Sequence, residues 1–169
     1  VIEVGSLKQL FVDDCIVAQM EGVRRVQHQV QKHPANPILR KAYSGEQGIT
    51  DPQVAYDPLE KKFHMWYRAL DAEGKENCGY ACSRDAVTWH RPSLGLVEYA
   101  GNPANNYVLG DGHFASVACD PRPGRRSFLA FRAGVGLSTL ESLDGIHWTP
   151  HTSRTGDLRN TTYGLPANP

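Results

Sequence analysis

Cysteines, an adjacent acid pair and two Ser-x-Asp-x-x-x-Trp elements are the first residues in this chain whose types and spacing could carry chemistry. Cys78 and Cys82 would share one face of a strand about 13 Å apart at roughly 3.3 Å per residue, too far for a disulfide between them. A zinc site built on Cys-x-x-x-Cys needs two more ligands at a matching spacing, and Cys15 and Cys119 do not form a second such pair. The cysteines therefore read as small buried hydrophobes, and neither a metal nor a cofactor is expected. Asp13 and Asp14 are neighbours, and neighbours on a strand point to opposite faces. They cannot grip one bond together, so a structural or solvent-facing role is expected. In Ser83-x-Asp85-x-x-x-Trp89 and Ser142-x-Asp144-x-x-x-Trp148 the Asp can accept amide hydrogen bonds from its own turn. The Trp can then pack between strands. These are expected to be corners, not catalysts.

The two elements end two copies of one longer unit, and that unit must position everything else. QVAYDPLEKKFHMWYRA starting at residue 53 is answered by SVACDPRPGRRSFLAFRAG starting at residue 116. Asp57-Pro58 matches Asp120-Pro121, and Tyr67-Arg68 matches Phe131-Arg132. The offset falls from 63–64 residues at the start of the unit to 59 at its end, which places the difference in one loop. Each copy reads as short strands punctuated by Gly, Pro and Asp turns, with aromatic and β-branched residues between them. A strand-rich repeat of this size, closed by an aromatic, predicts an all-β fold of β-propeller blades. Blades are expected over residues 49–92 and 107–150, with N-terminal strands within 1–48 (at 10–17 and 23–30) and a tail over 151–169. In the first blade, residues 85–89 are expected to turn into the fourth strand. Two or three blades do not close a ring, so further blades are expected outside this chain.

Bulk properties narrow the partners. Lys plus Arg and Asp plus Glu each total 18, so the formal charge is zero, which gives no electrostatic reason to expect nucleic acid or an anionic membrane. No apolar run approaches the length of a membrane span. The opening VIEVGSLKQLFVDD lacks the basic-then-apolar order of a signal peptide, which leaves the compartment open.

Several segments together resemble a known family. They are LFVDD at 10–14, KHPANPIL at 32–39, Asp57-Pro58 with MWYR at 65–68, Ser83-x-Asp85-x-x-x-Trp89, and LGLVE at 94–98 with Asn105-Asn106. Over roughly residues 8–150 the chain resembles the N-terminal part of five-bladed propeller proteins related to glycoside hydrolase family 32, among them bacterial glycosyl hydrolases. The resemblance implies a partial five-bladed propeller of about two to three blades acting on a carbohydrate. It also implies a funnel at the propeller axis with carboxylates from successive blades serving as nucleophile or base, transition-state stabiliser and general acid.

On that resemblance Asp51 is the first carboxylate. It stands in GITDP at 48–52, just before the innermost strand of a blade, with Thr50 and Gln53 where the family has asparagines. The alternative is an Asp that caps a turn before Pro52. Asp111 is the candidate for the second, about three residues ahead of the position that the repeat offset marks. His113, His33 and Asn36 are candidates to contact sugar, against the readings of a solvated loop histidine and a rigid Pro-rich connector. Asp120 aligns with Asp57 and is expected to serve a turn, and Trp66 to serve the core. Two other readings stay open: a propeller that binds carbohydrate or acts as a scaffold without catalysis, and a sialidase-type propeller, since Ser-x-Asp-x-x-x-Trp resembles the Asp-box. The latter needs a cluster of arginines, for which Arg68 and Arg132 are the matched positions.

Overall fold

The computed structural model describes residues 12–120, 127–133 and 138–151, together with Gly5 and Leu10. The chain divides into two units, Val1–Pro34 and Ala35–Pro169. In the first unit the described residues form turns, bends and extended stretches without a strand. Leu10, Val12, Met20, Val23, Val26 and Val30 are all at least half exposed there. The strands expected at 10–17 and 23–30 are therefore not formed by their described residues, and none forms over 35–47 of the second unit either. Apolar residues at strand-like spacing do not make a strand, because each backbone N–H and C=O needs a partner. Asp13 accepts the Cys15 amide at 3.0 Å and Asp14 pairs with Arg25, so this acid pair is spent on local structure.

In the second unit β1 (Gly48–Asp57), β2 (Lys62–Leu70), β3 (Glu76–Ser83) and β4 (Tyr107–Leu109) form one antiparallel sheet in sequence order. β5 (His113–Asp120), β6 (Ser127–Ala133), β7 (Ser138–Ser142) and β8 (Thr149–Pro150) form the second. The fold is all-β, with no helix among the described residues. Both Ser-x-Asp-x-x-x-Trp elements close a sheet with the same bonds. Asp85 Oδ1 accepts the amides of Val87 and Thr88 at 2.9 and 2.7 Å, and Asp144 Oδ1 accepts those of Ile146 and His147 at 2.8 Å each. Trp89 and Trp148 each donate Nε1 to a turn carbonyl, of Ala86 and Gly145 respectively, at 3.1 Å.

Strand pairing corrects the repeat alignment. Tyr56 pairs with Phe63 and Phe63 with Ser83, while Cys119 pairs with Phe128 and Phe128 with Ser142. Phe63 thus corresponds to Phe128, Trp66 to Phe131 and Tyr67 to Arg132, so Arg68 and Arg132 are not equivalent. Six residues, 121–126, separate β5 from β6, against four, 58–61, between β1 and β2. The later β6–β7 connection is shorter, so the length difference sits in two connections and not one. The residues RPGRR at 122–126 lie outside the described residues, as does the tail beyond His151.

The blade limits move as well. Residues 85–89 are the Asp turn, and the counterpart of β8 is the single bridge of His90 to Cys82. β4 pairs with β3 at Cys78 and Gly79, so Tyr107–Leu109 completes the first sheet and does not open the second. The Tyr80 amide, which the bridge leaves unused, donates to Asn106 O at 2.9 Å.

The front face of the first sheet carries His64, Trp66, Cys78 and Tyr80, all buried. It packs on Phe114, Phe128, Ala130 and Leu140 of the second sheet. On the back face Met65, Tyr67, Ala69 and Ala81 are covered by Leu39, Tyr43, Ile49, Trp89, Val97 and Tyr99, while Val54 and Tyr56 on β1 stay half exposed. Trp66 fills the space between the sheets edge-on to Phe114, Phe128 and Trp148, and its Nε1 donates to Gly145 O at 2.7 Å. It is core, as expected.

Candidate functional site

A polar chain runs along the end of the sheets where β1 starts, β2 ends and β5 starts. β1 bulges between Thr50 and Gln53, so that Asp51 and Pro52 both lie opposite Tyr67. The bulge puts Asp51 in the left-handed region at φ 51°, which Asp tolerates better than most residues. Bulges re-aim side chains and recur beside functional sites. The Asp51 carboxylate is half exposed and faces Arg68 Nη1 at 3.4 Å, with Thr50 Oγ1 donating to it at 3.2 Å. Arg68 is held from its other side by Glu76 at the start of β3. Glu76 Oε2 in turn meets His113 Nδ1, from the second sheet, at 2.9 Å. Burial works against the charge on Glu76, but the bonds from His113 and Arg68 outweigh it and hold the carboxyl below its usual range.

The structure thus brings Asp51 and His113 into one connected cluster. Asp111 stands two residues before His113, at the start of the second sheet. Its carboxylate is largely exposed, with Arg132 Nη2 at 3.3 Å, and its carbonyl accepts Arg132 Nε at 3.1 Å. Strand pairing gives Asp51 the counterpart Phe114, three residues after Asp111, so the second copy puts a core residue where the first puts a carboxylate. His33 is exposed and belongs to the first unit. Asn36 is exposed in the second unit, before a cis peptide bond to Pro37.

Glu76 is the cluster member that sequence reasoning missed. It sits in a Gly-Lys-Glu-Asn turn that looks like solvated punctuation, and only its side-chain bond to His113 reveals that it reaches across to β5.

Cys15, expected as a buried hydrophobe, is instead exposed, and Cys82 and Cys119 are partly buried; other reactive side chains are committed to structure. Cys78 is fully buried, and burial pushes its thiol up to about 12, which removes it as a nucleophile at neutral pH. Glu46 is buried and accepts Tyr107 Oη at 2.7 Å and the Ala42 amide at 2.7 Å. Asn106 accepts Tyr43 Oη and donates to Tyr67 Oη, both at 2.8 Å. Together they tie the covering loops to the back face. Asp57 accepts the Leu59 amide at 2.9 Å, the turn role that its repeat partner Asp120 was expected to share. Asp57, Glu60 and His64 bring potential metal ligand atoms within 4.8 Å of one another. Glu60 also pairs with Lys62 at 2.6 Å, and His64 Nδ1 with Tyr80 Oη at 2.8 Å, so this group reads as a braced turn.

No known protein family, curated protein or solved structure matches this chain.

Proposed function

We propose that this chain is part of a β-propeller that acts on a carbohydrate in the manner of a glycoside hydrolase, with Asp51 as its first catalytic carboxylate. The observation that carries the reading is the placement of Asp51. A strained bulge aims it outward at the head of an inner strand, and a braced arginine backs it. A glycosidase needs an ionised carboxylate opposite a proton donor. Asp51 is the carboxylate at this rim with the placement for such a role. Among the described residues Asp111, His113 and Glu76 stand at the same rim and could assist it.

A binding propeller without hydrolysis is the second reading, and one feature favours it. Both Asp51 and Asp111 are half or more exposed and face arginines. A carboxyl that donates a proton near neutral pH sits instead in apolar surroundings or beside another acid. The pair as placed suits accepting hydrogen bonds from sugar hydroxyls.

One experiment tests both. Titrate the chain with neutral mono- and oligosaccharides by calorimetry, and assay aryl glycosides of the same sugars. Binding and turnover that both disappear in Asp51→Asn, with an unchanged circular dichroism spectrum, support the hydrolase. Binding that depends on Asp51 without any turnover supports the binding module. Saccharide binding that Asp51→Asn leaves intact, or no binding at all, refutes the role of Asp51.

A further inference from the structure

Leu129 and Phe131 occupy the positions in the second sheet that His64 and Trp66 hold in the first. In the first sheet that front face is closed, with His64 and Trp66 both fully buried. In the second it is open: Leu129 is 36% and Phe131 49% exposed, and Ser116 and Ala118 beside them are exposed too. The back face of the second sheet, by contrast, is buried through Phe128, Ala130 and Leu140. The contact between the sheets is therefore front against back and never front against front. Such a heterologous contact does not satisfy itself in a pair; it leaves one front face unused.

We propose that the open face formed by Ser116, Ala118, Leu129 and Phe131 is the docking surface for a further four-stranded sheet of the same repeat, which meets it with its back face and its Ser-x-Asp-x-x-x-Trp corner. The established contact between the two sheets identifies the occupant, because the proposed one continues it by the same step. A second copy of this chain does not fit in that way. Of its corresponding back face, Met65, Tyr67, Ala69 and Ala81 already lie under Leu39, Tyr43, Trp89, Val97 and Tyr99, and the half-exposed remainder is the Val54 and Tyr56 margin on β1. The inference rests on the repeat geometry and on no part of the carbohydrate chemistry at the rim.

The test compares the chain with an extended form in which a copy of residues 93–151 is inserted after His151. The inserted copy carries glutamate in place of its own Leu129 and Phe131 equivalents, so that binding of a hydrophobic dye reports the original face alone. The extended form should melt several degrees higher and bind severalfold less dye. Phe131→Glu in the original face should leave the melting temperature of the parent chain nearly unchanged and cancel the gain in the extended one. Leu129→Lys should act in the same way, which guards against a folding defect peculiar to one variant. Equal melting and dye binding in the two forms would overturn the proposal. So would a parent chain that sediments as a dimer and becomes monomeric with Phe131→Glu, because the occupant would then be a second copy. Loss of glycosidase or saccharide binding in any variant bears on the rim and not on this surface.

Discussion

Trp66 and Phe131 sit at the same step of the same strand pattern, yet one is fully buried and the other half exposed. Nothing in either residue or its strand neighbours accounts for that. The difference lies in what stands in front of each sheet: the first has the second packed on it, and the second has an open face. Burial in a stacked repeat is thus a property of the position in the stack, and a large apolar side chain is equally at home in both. The comparison also explains why the back faces look alike while their covers differ. One is covered by loops over β2 and β3, the other by a sheet.

Truncating the two residues should expose this asymmetry most strongly. Trp66→Ala removes a ring set edge-on to three aromatics and packed on His64 and Tyr80, with a hydrogen bond to Gly145 O, and should cost about 3–5 kcal/mol. Phe131→Ala should cost less than about 1 kcal/mol, in the range of surface changes. Chemical denaturation of both variants checks this, and equal losses would mean that the open face is not open.

The next largest contrast is at the Asp corners. Gly145 has φ +77°, and a Cβ there would lie 2.9 Å from Trp66 Cζ2. Gly145→Ala should destabilise by about 2 kcal/mol, from backbone strain and overpacking together. Its counterpart Ala86 already holds a positive φ of 59°. Ala86→Gly should be neutral or slightly stabilising, since glycine relieves that strain. A destabilised Ala86→Gly would show that the corner of the first sheet needs its methyl group.

Acid should separate the corners from the rest more gently. Asp85 is held well below the usual carboxylate range by the amides of Thr88 and Val87 and by Ser83. For Asp144 burial opposes the charge, but bonds from the His147 side chain and the amides of His147 and Ile146 prevail. A carboxyl lowered in the folded state contributes stability that is complete above its unfolded value and is lost as the pH falls through the folded one. Asp144→Asn should therefore weaken the fold at pH 7, and the gap to the parent should close on acidification below about 3.8, the ordinary Asp value. Melting curves between pH 7 and strongly acidic solution, about 2 at the lower end, provide the check. A gap that stays constant would mean that the stability lost with Asp144 does not come from its ionised carboxylate.

The smallest effect is expected at the rim. Glu76→Gln keeps the shape but weakens the brace on Arg68 and the link to His113. Its cost should stay near or below about 1 kcal/mol, as for partly exposed ion pairs. A larger loss would make the cluster a structural clasp, whereas a small loss with a marked fall in saccharide affinity would make Glu76 a positioning residue.

The all-β class, the two sheets and the twin corners could be read from turn spacing and from Ser-x-Asp-x-x-x-Trp. Those features depend on local bonds, which local sequence encodes. The one-residue error in matching Tyr67-Arg68 to Phe131-Arg132 has a plain origin. Both pairs put an aromatic before an arginine, and composition cannot count the residues of a turn. Because side chains alternate along a strand, one residue of slip exchanges the two faces, and the stacking order of the sheets vanished with it. The strands expected at 10–17 and 23–30 failed for a related reason: spacing describes a face, not the neighbour that must pair with it. At the site, Asp51 and His113 could be found from their place in the repeat. Glu76 could not, because its role depends on a contact across 37 positions of sequence.

That contact ties the two sheets together at the point where Asp51 meets solvent. A molecule that draws Arg68 toward Asp51 alters the pull on Glu76 and so on His113, which sits on the neighbouring sheet. Whatever free energy the docking of the sheets lends to such a molecule, the molecule returns to the docking. Occupancy at the rim would then be measurable along the seam that runs from it between β1 and β5, as slower hydrogen exchange there.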